Sequence, residues 1–234
     1  MSERQVLEAD LTWIDGRFER GVQVTVEPDG RIGEIGKLQE VPTRRLNARA
    51  LLPGFVTAHS HAFQRGLRGR GETFPEGAGS FWTWREAMYG LVESLDERSI
   101  YEWSRRAYEE MRDAGITCVG EFHYVHHDAS LEGFAFDEVV LRAASDVGIR
   151  IVLLNTYYAT GAIGAPLEGG QKRFRTAGLH EFWSQQDRLS DVLDRSTQSL
   201  GVAAHSIRAV PLDDLAALHA EARNREMVFH MHIE

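Results

Sequence analysis

From Leu51 onward, short apolar runs alternate with segments of helical period, and no other feature of the chain restricts its fold as strongly. "LLPGFVTAH" (51–59), "ITCVGEFHY" (116–124), "IRIVLLNTYY" (149–158), "LGVAAHS" (200–206) and "EMVFHMHIE" (226–234) read as strands. Between them, "SIYEWSRRAYEEMRDAG", "FDEVVLRAASDVG", "FWSQQDRLSDVLDRSTQS" and "PLDDLAALHAEARNR" read as helices. The first two of these end in glycine and the last opens with proline, the residues that stop and start helices. Such alternation predicts a parallel α/β sheet. The strands are apolar almost throughout, as strands covered on both faces are. Periodicity leaves two architectures open, an open doubly wound sheet and a (β/α)8 barrel.

Ahead of this region, residues 4–50 alternate apolar and polar residues, with hairpin signals at Asp15-Gly16 and Asp29-Gly30. The expected division is therefore a small antiparallel β unit over 1–50 and a main domain over 51–234. The longest irregular stretch, "ATGAIGAPLEGGQKRFRTAG" (159–178), follows the third strand. Loops of this length are often functional, and a surface loop is equally compatible.

Composition narrows the class. A formal charge of -9 argues against a nucleic-acid partner. No run approaches the roughly 20 apolar residues of a membrane span, and "MSERQVLEAD" has no secretory pattern. The single cysteine, Cys118, allows no intrachain disulfide and fits a reducing cytoplasm; its apolar setting suits a buried structural thiol. Neither nucleotide-binding glycine motif is present.

The polar residues recur at the C-terminal end of each strand, the edge where parallel α/β folds bind ligands. His59 and His61, then Glu121, His123 and Tyr124, then Asn155, Tyr157 and Tyr158, then His205, Ser206 and Arg208, and last His230 and His232 fall there. Residues two apart on a strand share a face. Two imidazoles on one face suit zinc, which takes nitrogen donors at about 2.0–2.1 Å; a hydrogen-bonded histidine pair is the other reading. His230 and His232 repeat the spacing and favour the metal. Arg208 could hold a carboxylate in a bidentate pair. Arg85 is a second candidate, with Phe81, Trp82 and Trp84 as pocket walls, although an arginine packed on surface tryptophan would look the same.

"PGFVTAHSH" resembles the amidohydrolase superfamily of metal-dependent barrel hydrolases. "AHSHAFQRGLRGRGE", "GSFWTWREAMY", "VGEFHYVHH" and "AAHSIRAV" are similar to the formimidoylglutamate deiminases within it. The resemblance implies a (β/α)8 TIM-type barrel with a β-sandwich portion, one divalent metal, usually zinc, and hydrolysis of a small dicarboxylate amidine in histidine degradation. It matches His59, His61 and His232 to metal ligands, and Gln64, Arg85, Tyr124, His205 and Arg208 to substrate contacts. His230 has no ligand role in that pattern and would line the barrel. The family's catalytic glutamate lies three residues after the third ligand, at a position just past Glu234. A full barrel takes about 250 residues, so the chain reads as about five of eight barrel strands. Three further readings stay open: a related deaminase acting on a purine or similar heterocycle, an inactive fragment, and a homodimer as the assembled form.

Overall fold

The computed structural model describes residues 3–70 and 80–233. Two compact units divide the chain at Gly54 and Phe55. The division falls after residue 50 because the strand Arg44–Leu51 pairs within the first unit.

In the first unit, β1 (Gln5–Ile14) pairs antiparallel with β2 (Arg17–Glu19) and with β3 (Gln23–Val26), and β3 pairs antiparallel with β4 (Ile32–Gly36). Asp15 and Gly16 both have positive φ, 48° and 78°, as a two-residue hairpin turn requires. The expectation of a purely antiparallel unit needs correction, since β5 (Arg44–Leu51) lies parallel to β1. A parallel partner cannot follow by a tight turn, so it returns through the connection after β4.

The second unit is a five-stranded parallel sheet. Its strands are β6 (Phe55–Ser60), β7 (Ile116–His123), β8 (Arg150–Tyr157), β9 (Gln198–Ser206) and β10 (Phe229–His232), and they neighbour one another in sequence order. A doubly wound sheet reverses its strand order at a switch point. This one never reverses, so the order is that of a barrel wall, five strands of a (β/α)8 type.

Among the described residues five α-helices accompany the strands: α1 (Phe81–Ser94), α2 (Glu97–Asp113), α3 (Ala135–Val147), α4 (Leu179–Val192) and α5 (Leu212–Asn224). In α2, Ile100, Ser104, Ala107 and Tyr108 are buried, one helical face at i, i+4, i+7 and i+8. Asp96 caps this helix by accepting the Ser99 N–H at 2.7 Å. Between β6 and β7 the backbones come so close that a Cβ on Gly120 would meet the Ala58 carbonyl oxygen at 2.6 Å, so only glycine fits there.

Three local expectations change, and one segment with no expected element gains one. The apolar run from Leu51 is not one buried strand: Leu51 closes β5, and β6 begins at Phe55. Among the described strands β6 pairs only with β7, which leaves Phe55 60 % and Val56 69 % exposed. The helix expected to reach residue 199 stops at Val192, because the Asp194 carboxylate takes the Ser196 N–H (3.0 Å) and Oγ–H (2.6 Å) in an Asx turn that starts β9. The "SFWTWREAMYG" segment is helical. Finally, Cys118 is half-buried rather than enclosed.

The loop 159–178 is pinned. Its Arg173 is buried and donates to the carbonyls of Leu95 (2.6 Å) and Glu93 (3.0 Å) at the C-terminal end of α1, where a cation complements the helix dipole. The Arg173 carbonyl in turn accepts the His126 and His127 N–H groups.

Candidate active site

Strand alternation sorts the strand-end residues into two sets. At the end of β7, Phe122 and the next-but-one residue Tyr124, just past the strand, turn to one side, and Glu121 and His123 to the other. His59 Nε2 lies 3.1 Å from His61 Nε2 and 3.2 Å from His232 Nε2, and all three donor atoms fall within 4.8 Å of one another. The His61 Nδ1–H donates to the Phe122 carbonyl at 2.9 Å, which leaves Nε2 with its lone pair. The His232 ring stacks on Phe122 at a 4.0 Å centroid distance. Burial pushes the His61 pKa down to about 3. It also pushes His232 down to about 4, assisted by the charge His59 would carry. Burial lowers His59 too. All three rings are therefore neutral near pH 7, as ligation demands.

Those distances fit a metal. Zinc–nitrogen bonds of about 2.0–2.1 Å in tetrahedral array place the nitrogens about 3.3 Å apart, close to the two separations found. His230 is not part of the cluster.

Beside these histidines is a cavity of about 400 Å³. His61, His232, Gln64, Arg85, Tyr124, His205 and Arg208 all line it. Every substrate contact expected from the sequence therefore meets there, and of the three metal candidates His59 alone stands outside the lining. Gln64 Nε2 donates to Tyr124 Oη at 2.9 Å. Burial holds the Tyr124 phenol well above its usual range, so it stays protonated. His205, held neutral by burial, then by the charges of His232, His61 and Arg208, has Nδ1 3.1 Å from Ser206 Oγ. Trp84 lines the cavity as expected, whereas the Phe81 and Trp82 side chains and Glu234 lie outside the described residues.

Tyr89 and, behind the cavity, Gln171 are polar contributors that the sequence did not single out, and Tyr158, named there only as a strand-end residue, joins them in the lining. The signal for Tyr89 was its i+4 spacing from Arg85, whose Nε–H donates to Tyr89 Oη at 2.9 Å.

The opposite set holds the strands to the helices instead. Tyr157 donates to Asp214 at 2.7 Å. His123, His126 and Asp137 also place three donor atoms within 4.8 Å. There, however, Asp137 Oδ1 already accepts from His123 Nε2 (3.0 Å) and His126 Nδ1 (2.8 Å), and Oδ2 from Asn155 (3.1 Å) and Gln185 (2.7 Å). A carboxylate with every lone-pair direction filled by a hydrogen bond is a structural anchor.

Glu121 is the remaining buried acid. Its Oε1 accepts the Ala62 N–H at 2.7 Å, directly after His61. Ser60 and Tyr108 approach Glu121, but Oε2 has no hydrogen bond of good geometry. Burial raises its pKa to about 7, from an ordinary 4.5. A raised acid favours the protonated folded state. The resulting penalty is absent below the unfolded value and grows as pH climbs from about 4.5 to about 7, reaching about 3 kcal/mol. With metal removed by chelation, Glu121→Gln is expected to gain stability relative to the unsubstituted chain between pH 4.5 and pH 8. Urea melts at both pH values check this, and an identical gap at both would refute it.

The sheet winds as a barrel wall with three histidines at its C-terminal edge, and the chain belongs to the amidohydrolase family, whose sequence model matches residues 50–234. A formimidoylglutamate deiminase of Pseudomonas aeruginosa is 37 % identical over 223 residues, which are 92 % of this chain and 48 % of that protein. A 5-methylthioadenosine/S-adenosylhomocysteine deaminase of Archaeoglobus fulgidus is 31 % identical over 151 residues, 63 % of this chain and 32 % of its own length. Among solved structures, an amidohydrolase from Brucella melitensis superposes with a TM-score of 0.86 at 30 % identity, covering 97 % of this chain and 51 % of that one. The chain thus spans about half the length of the Pseudomonas and Brucella proteins. No helix among the described residues is long and apolar enough to cross a membrane.

Proposed function

We propose that the whole protein hydrolyses the formimidoyl group of N-formimidoyl-L-glutamate, consuming water and releasing ammonia and N-formyl-L-glutamate. One observation carries this reading. Arg85 and Arg208 line the same cavity as the histidine cluster, and no described lining residue bears a carboxylate. A site of this kind favours a ligand with acidic ends, and the substrate has two carboxylates. The similarity to the Pseudomonas deiminase supports the same choice.

His59, His61 and His232 would hold the divalent metal, with zinc favoured by three neutral imidazoles. When bound, such a cation supplies Lewis acidity and lowers the pKa of water toward neutrality. This chain's residues do the rest of the work assigned to it. The two arginines take the carboxylates. Gln64 and Tyr124 position the ligand over the histidines. His205, kept neutral, can hydrogen-bond the substrate's nitrogen end. A small-molecule substrate and a lone half-buried thiol suit a cytoplasmic enzyme.

Arg208→Ala is expected to lower kcat/KM for N-formimidoyl-L-glutamate at least about 10-fold, through loss of a charged hydrogen bond. Steady-state ammonia release by the whole protein measures this. Unchanged kinetics would remove Arg208 from the site and with it the main argument for a dicarboxylate.

A further inference from the structure

The direction of a tyrosine hydroxyl is set by what stands behind it, and behind the cavity stands Gln171. This residue is 6 % exposed and lies in the 3-10 turn Gly169–Phe174. Its Oε1 accepts the Glu168 N–H at 3.1 Å, and its Nε2 donates to the Gly161 carbonyl at 3.1 Å. Both partners are backbone groups of fixed polarity. Turning the amide round would set oxygen against oxygen and N–H against N–H, so one orientation is enforced. Gly161 permits the approach: a Cβ there would meet Gln171 Oε1 at 2.7 Å.

The other Nε2 hydrogen therefore faces Tyr89 Oη at 3.1 Å, with Tyr158 Oη sharing it at 3.4 Å. Tyr89 Oη also accepts the Arg85 Nε–H. A phenol oxygen offers two lone pairs and one proton. Both Tyr89 lone pairs are taken, so its proton must be given to an acceptor, and the residue lines the cavity.

We propose that Gln171 is a positioning residue that turns the Tyr89 hydroxyl, with that of Tyr158 beside it, into a donor toward the cavity, and that Tyr89 O–H binds one specific carboxylate of the ligand alongside Arg85. The inference rests on the dicarboxylate reading above and deepens it. Tyr158 keeps its proton for the same use, since burial pushes its phenol up to about 12. The loop 159–178 then has a function: it delivers the amide that orients the carboxylate subsite.

The test is calorimetric titration of the whole protein with three probes. N-formyl-L-glutamate carries both carboxylates, N-formyl-4-aminobutyrate lacks the α-carboxylate, and N-formyl-L-norvaline lacks the side-chain carboxylate. Tyr89→Phe is expected to weaken N-formyl-L-glutamate about 10- to 100-fold, the range for a hydrogen bond to a charged group. It should weaken only one of the two monocarboxylates comparably. Gln171→Met should weaken that same probe by about 3- to 10-fold, and add less than about twofold in the Tyr89→Phe background, where only its longer contact to Tyr158 is left to lose. A general packing defect would instead weaken both monocarboxylates and persist in the double variant, overturning the proposal, as would unchanged affinity in Tyr89→Phe. If the unsubstituted whole protein bound none of the three probes, the dicarboxylate reading itself would fall, and this one with it.

Discussion

Asp137→Asn is expected to destabilise the chain by about 3–5 kcal/mol, the range for removing one partner of a buried ion pair. Asp137 has no exposed surface, and neither has His126. Both His126 nitrogens face oxygens: Nδ1 the Asp137 carboxylate, and Nε2 the Thr156 carbonyl at 2.8 Å. Contacts on both nitrogens fix the ring in place between β8 and the carboxylate. Burial alone would raise the Asp137 pKa, but the His126 charge and the His123 and His126 hydrogen bonds outweigh it and hold the carboxyl well below its usual range. The asparagine replaces one carboxylate oxygen by an N–H donor in a site where both oxygens accept, among residues drawn from β7, β8 and α4. A depressed acid stabilises the fold above its unfolded pKa, and that contribution is lost as pH falls through the folded value. The gap between the two proteins should therefore be full at pH 7 and narrow only in strong acid. Urea denaturation measures it, and a difference under about 1 kcal/mol at pH 7 would show that the network is not the anchor described.

The second large effect concerns the metal. His61→Ala is expected to lower zinc affinity by more than about 100-fold, because losing only an outer hydrogen-bond partner of a ligand already costs 10- to 100-fold. His61 is the best oriented of the three, with its Nδ1–H committed to the Phe122 carbonyl. His230→Ala serves as the control. It repeats the spacing in sequence yet lies outside the cluster, so its affinity should stay within about threefold of the unsubstituted chain. Competition against a chromophoric chelator reads both variants. Equal losses would mean that the geometry found, rather than the H-x-H spacing, had been the wrong guide on β10.

The parallel sheet and its site edge were legible from alternation alone, since apolar runs and helical period are local properties. The choice between doubly wound sheet and barrel was not local. It needed the strand order, which the sequence reaches only through resemblance. The same limit appears within the site. His59, His61 and His232 are far apart in sequence, and a spacing rule can nominate them without bringing them together. Glu121, His123, Asn155 and Tyr157 share the strand-end position but point to the helix side, a distinction that depends on where each strand ends. Gln171 was hidden for a different reason: its role comes from hydrogen-bond polarity toward Tyr89, 82 residues away, and composition carries no trace of it.

The central claim is that the arginine-lined cavity beside the histidine cluster serves a dicarboxylate amidine. Ammonia release by the zinc-loaded whole protein, measured side by side on N-formimidoyl-L-glutamate and 5-methylthioadenosine, tests it most directly. The account predicts turnover of the amidine with kcat/KM at least about 100-fold above that for the nucleoside, since a site built around charged partners rejects a ligand that leaves them unpaired. Preferred turnover of the nucleoside would contradict it.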